Sequence, residues 1–160
     1  MRTMMHFAGA LLALSLMSGA AWAESLIRVT LIDKTGSADS AAPRLGLGMH
    51  ADMSKAKMAI NANPKTARRG AVRLDVTNLA AQIIHEVIVA RINDETQILP
   101  YDESRNKVDA EQLLTLGSVN EIAPNASASL TLNLDPGKYL LYCNIAGLYM
   151  AGMWTVIDVQ

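Results

Sequence analysis

The sequence predicts an all-β sandwich of two antiparallel sheets. Seven or eight short apolar runs recur along the chain, mostly alternating with polar residues. Turn signals built on proline, glycine and asparagine separate them. One of these runs is almost wholly apolar and β-branched, as suits a strand covered on both faces.

Residues 1–23 precede the first strand and read as a secretory signal. Arg2 gives the positive start, Phe7 to Met17 is an apolar run too short to cross a bilayer, and Ala21-Trp22-Ala23 is a small-x-small cleavage site. The mature chain is then expected to begin at Glu24 and to hold 137 residues, enough for one domain with a sizeable core. No later segment reaches roughly 18 consecutive apolar residues, so no membrane span is expected. Without Arg2, the chain's 14 basic residues fall to 13 against 15 acidic ones. That near-balance gives no reason to expect nucleic acid as a partner.

Residues 24–48 read as an N-terminal strand and a flexible connector, and 49–160 as the main sandwich domain. Ile27, Val29 and Leu31 alternate with Arg28, Thr30 and Ile32, which predicts the first strand. Lys34 to Pro43 is small and polar, as a connector should be. Lys57 to Asn61 predicts a second strand, stopped by Asn63-Pro64. Val72, Leu74 and Val76 mark a half-buried third. Ile83 to Ala90 is the run covered on both faces. Asn93 to Gln112 breaks the rhythm as a charged excursion, with a short helix expected near Asp109 to Leu114, capped by Asp109 with Gln112 three residues on. Leu130, Leu132 and Leu134 mark another strand, Asp135-Pro136-Gly137-Lys138 a turn, Tyr139 to Cys143 the next strand, and Trp154 to Val159 the last.

Cys143 is the only cysteine, so no disulfide can form within the chain. In an oxidising compartment an unpaired thiol is safe when buried, bound to metal or paired between chains. Its surroundings favour metal. A thioether, Met153, follows Cys143 by ten residues, and five residues on stands Leu148, where the loop of a mononuclear copper site would carry an imidazole. His85 lies 58 residues before Cys143, in register with Val87 and Val89 on the apolar strand. An imidazole on such a face needs a partner.

The segments Val76-Thr77-Asn78, His85-Glu86, Leu99-Pro100-Tyr101-Asp102, Asp135-Pro136-Gly137-x-Tyr139, and Tyr142-Cys143-Asn144-Ile145 through Gly152-Met153-Trp154 resemble bacterial periplasmic cupredoxins of the plastocyanin and azurin superfamily. The resemblance runs from about Met49 to Val159. It implies a Greek-key cupredoxin-like sandwich, a periplasmic location and a single copper ion held by His85, Cys143 and Met153. It implies electron transfer or copper handling with a periplasmic protein partner, by a monomer and not an enzyme. The sequence departs from the family's loop at two places: Leu148 holds the position of the second histidine, and Ala146 that of a proline. The remaining nitrogen and two sulfurs are soft donors, which favour Cu(I).

His50, with Met49 and Met53, forms Met49-His50-x-x-Met53, a set of possible accessory copper ligands; the plainer reading makes these methionines filling for the rim of the sandwich. Glu86 should face away from His85. Trp154 and Tyr139 suit packing, Tyr139 as a corner tyrosine bonded to backbone. Asn125-Ala126-Ser127 fits a glycosylation pattern by chance. No serine–histidine–acid set or phosphate-binding glycine loop is present, which argues against an enzyme. A metal-free sandwich that binds protein through an apolar rim of Ile145, Ala146, Leu148, Tyr149 and Met150 remains open, as does a Leu148 substitution in an ordinary blue protein.

Overall fold

The computed structural model of the protein describes residues 23–34 and 44–160. The expected signal segment, up to residue 22, and the expected connector, from residue 35 on, lie outside these. Within them run strands β1 (Ser25–Asp33), β2 (Met58–Asn63), β3 (Thr66–Ala67), β4 (Gly70–Asn78), β5 (His85–Ile92), β6 (Tyr101–Asp102), β7 (Lys107–Val108), β8 (Leu114–Ile122), β9 (Ser127–Leu134), β10 (Gly137–Tyr142) and β11 (Trp154–Val159).

Two sheets carry the fold, one ordered β2-β1-β4-β9 and the other β3-β11-β10-β5-β8, with β6 and β7 as a separate hairpin. The architecture is the expected sandwich, with one difference in direction. β1 runs parallel to β4, and β3 parallel to β11, so both sheets are mixed. Alternation reports which face a residue takes and says nothing about strand direction, which the chain's crossings between sheets decide. β1 lies inside its sheet, between β2 and β4.

The alternating residues fill the space between the sheets. Ile27, Val29 and Leu31 of β1 and Val72, Leu74 and Val76 of β4 join Val87 and Val89 of β5 in one buried cluster. A second cluster lies on the other side of β5 and β10, where Ala90, Ile92, Leu140 and Tyr142 pack with Leu47, Leu99, Val108 and Tyr149. The charged excursion after β5 thus supplies a third layer, and it explains why β5 is apolar at both odd and even positions. At the far end of β10, the Tyr139 hydroxyl donates to the Asp135 carbonyl at 2.7 Å, as expected of a corner tyrosine.

Two local expectations are corrected. The helix expected over Asp109 to Leu114 is a single 3₁₀ turn at Ala110–Gln112, and the Asp109 side chain makes no capping bond. Its carboxylate instead accepts from the Gln112 side chain at 2.7 Å. The chain extends at once into β8, whose pairing with β5 offers more hydrogen bonds than another helical turn. β8 itself carries no clean alternation: Leu114 is 62% exposed, and Gly117 interrupts the run. A Cβ on Gly117 would lie 2.9 Å from the end of the Leu132 side chain, which would have to move aside to admit it.

Candidate metal centre

Three neighbouring strands bring Cys143, Met153 and His85 to one end of the five-stranded sheet. The β10–β11 ladder ends at the pair Tyr142 and Trp154. One step beyond it, the Cys143 amide donates to the Met153 carbonyl at 3.1 Å, so these two residues stand side by side. On the other flank, β10 pairs Tyr142 with Ile88. One further step sets Cys143 beside Val87, and the two-residue period of a strand puts His85 on that same inner face. The Glu86 backbone N–H reaches the Cys143 sulfur, which ties the thiol to the start of β5. His85, Cys143 and Met153 are each 0% exposed.

Chemistry at these donors is set by burial. Neither ring nitrogen of His85 has a hydrogen-bond partner. Buried imidazole nitrogens left bare are costly, by about 1–3 kcal/mol. Burial also drives the His85 pKa below its ordinary value, against the opposing pull of the Asp33 carboxylate, and keeps the ring neutral with a lone pair free to donate. Burial pushes the Cys143 thiol up to about 11, although backbone N–H groups of Glu86 and Ile145 favour the thiolate. Among the described residues no group of three or more His, Cys, Asp and Glu could hold a metal ion. Met153, joined to Cys143 through the backbone, adds a buried thioether beside this imidazole and thiol. The bare imidazole, the thiol and the thioether fit a soft metal such as copper.

The loop from Cys143 to Met153 is tightly held. Met153 N–H donates to the Leu148 carbonyl at 3.0 Å, and Ala151 N–H to Gly147 at 3.0 Å. Gly152 adopts φ +95, and a Cβ there would meet that of Ala56. Leu148 is buried with Cys143 and Met153 in the inner cluster. Tyr149 is buried too, and its hydroxyl accepts from the Leu47 amide at 2.8 Å. The apolar rim expected from five loop residues is corrected accordingly, because Leu148 and Tyr149 are 4% and 2% exposed and present no docking surface.

Several positioning residues escape a reading for ligands. The Asn144 side chain accepts from the Val108 amide at 2.7 Å and donates to the Val108 carbonyl at 3.0 Å, while its own amide donates to the Glu86 carboxylate at 3.0 Å. One residue thus fastens the loop to β7 and to the residue after His85. Asn78, fully buried, donates to the Ile83 and Ile122 carbonyls at 2.8 Å and accepts from the Ala80 amide at 2.9 Å. It fixes the approach to His85, whose cross-strand partner is Ile122. The available signal was that Asn78 and Asn144 sit inside the segments that carry the family resemblance. His50 is exposed with φ +50, Met53 is 37% exposed, and Met49 is half-buried, so none of the three is buried as His85, Cys143 and Met153 are.

Fold and layout together define a cupredoxin-like β sandwich. Rusticyanin from Thiobacillus ferrooxidans superposes with a TM-score of 0.51 at 14% identity, covering 85% of this chain and 78% of that one. Reduced rusticyanin gives 0.50 at 14% identity, over 87% and 82% of the two chains. An auracyanin from Roseiflexus castenholzii aligns over 86% of this chain and 96% of that one, at 13% identity and a TM-score of 0.47. Rusticyanin is a copper protein. At these identities the likeness is one of fold. No protein-family model matches the chain, and no curated protein matches it in sequence.

Proposed function

We propose that the chain is an exported, periplasmic copper-binding protein whose centre consists of His85, Cys143 and Met153 and favours Cu(I). The observation that carries this reading is the His85 ring, wholly buried with both nitrogens unpartnered, on the same sheet end as a buried thiol and thioether. A metal would satisfy that imidazole and convert a high-pKa thiol into a bound thiolate. With Leu148 filling the place of the family's second imidazole, the donors number one nitrogen and two sulfurs. Cu(I) accepts so few and so soft a set more readily than Cu(II). The held loop and the strand ends would keep these donors nearly still, which suits passing copper or an electron to a periplasmic protein partner.

Anaerobic titration with Cu(I) against a competing chelator tests the reading. One equivalent should depend on Cys143 and vanish in Cys143→Ser. A folded protein with no Cys143-dependent binding would leave the metal-free, protein-binding sandwich as the better account. That account has lost part of its footing, because the apolar rim it needs shrinks to Ile145, Ala146 and Met150.

A further inference from the structure

A second set of soft donors lies outside the buried centre. A small open cavity of about 140 Å³ has His50, Met53, Glu95 and Trp154 in its lining. Each comes from a part of the chain that is fixed on its own account. Gly48, at φ +75, packs so closely on the backbone of Thr96 and Gln97 that no Cβ fits, which anchors the turn leading into His50. The Asp52 carboxylate accepts from the Ser54 amide at 3.0 Å and caps the 3₁₀ turn Met53–Lys55. The Trp154 indole N–H donates to the Leu45 carbonyl at 2.6 Å and holds the ring in place.

The donor chemistry selects the ion. An imidazole and a thioether beside an indole ring suit a soft monovalent cation, which the ring face can also attract. A hard divalent ion needs several oxygens. The lining offers one carboxylate, Glu95, and that is already paired with Lys138 at 2.9 Å. Met49 is no part of the lining; its sulfur lies 3.2 Å from where a Cβ on Gly46 would stand, as does that of Met150.

We propose that this cavity is a second, surface site for Cu(I), held by His50 and Met53 against the Trp154 ring. It depends on none of the buried donors, although Trp154 directly follows Met153 in the chain.

Cys143→Ser protein, titrated anaerobically with Cu(I) against a chelator while tryptophan emission is followed, isolates this site. One equivalent should bind and quench the emission. His50→Ala or Met53→Leu added to that background should weaken binding by roughly tenfold or more. In protein produced from Glu24 onward Trp154 is the sole tryptophan, so the quench reads this cavity directly. His50 and Met53 are exposed, so thermal melts should show these variants folded. Absence of binding in Cys143→Ser, or binding that ignores both His50→Ala and Met53→Leu, would overturn the proposal. Failure of the buried centre reads out separately, as loss of the Cys143-dependent equivalent in the unsubstituted protein.

Discussion

At the scale of single residues, the proposed copper centre turns on Leu148. It is buried, 4% exposed, in the cluster that contains Cys143 and Met153. A second imidazole there would complete the two-histidine, one-thiolate set of a type-1 centre. The unsubstituted protein should give no strong blue thiolate-to-copper band with Cu(II), and Leu148→His should create one. The same substitution buries a polar ring without a partner, so the metal-free variant should be less stable by about 1–3 kcal/mol and should recover on copper binding. Absorption spectra with denaturant melts check both halves. If Leu148→His stays colourless while folded, the position does not face the metal. The loop spacing made this residue conspicuous in the sequence. Its burial was not legible, because a leucine in a loop of small residues reads equally well as exposed rim.

At the scale of elements, the β6–β7 hairpin and the Cys143 loop behave as one piece because Asn144 joins them. Its side chain completes a two-bond pairing with Val108, and Gly147 N–H donates to the Asn106 carbonyl at 2.8 Å. Asn144→Ala removes both side-chain bonds and leaves the buried Val108 amide without a partner. A loss of about 1–3 kcal/mol is expected, with faster hydrogen exchange at Val108 and weaker copper binding, whereas Asn133→Ala on the exposed face of β9 should change little. Unaltered exchange at Val108 would mean that the Asn144 side chain does not hold the hairpin. Strands with one buried face, such as β1 and β4, were legible because the inner apolar row repeats every second residue. β8 was not, since its register is set by long-range pairing with β5 and carries a bulge where Glu121 adopts φ +53 beside the pair of His85. β3 is two residues long and gains its partner only from β11, far along the chain.

At the scale of the whole molecule, the buried centre couples folding to protons, and copper should reverse part of that coupling. His85 is held neutral below its ordinary pKa, so as pH falls the unfolded chain takes up the proton first, near pH ~6.5. Its contribution to stability is complete above that value and shrinks below it. Cys143 works in the opposite direction, with its thiol pushed up to about 11 in the folded protein against ~8.5 in the unfolded chain. That contribution is complete below pH ~8.5 and is lost as pH rises through about 11. Metal-free protein should therefore be most stable from about pH 6.5 to 8.5, as far as these two groups are concerned. Cu(I) needs the thiolate, so binding at neutral pH should release about one proton, and apparent affinity should rise with pH until the thiol has ionised. At a hundredfold excess over Kd, bound metal adds about 2.7 kcal/mol, and chelation removes it. Denaturant melts across pH 5–10, with and without Cu(I), read out both effects. The alkaline decline should appear only in the metal-free protein, because bound copper commits the thiolate before alkali can remove its proton. An alkaline decline equally steep with copper present would mean that Cys143 keeps its proton and that the metal is held elsewhere.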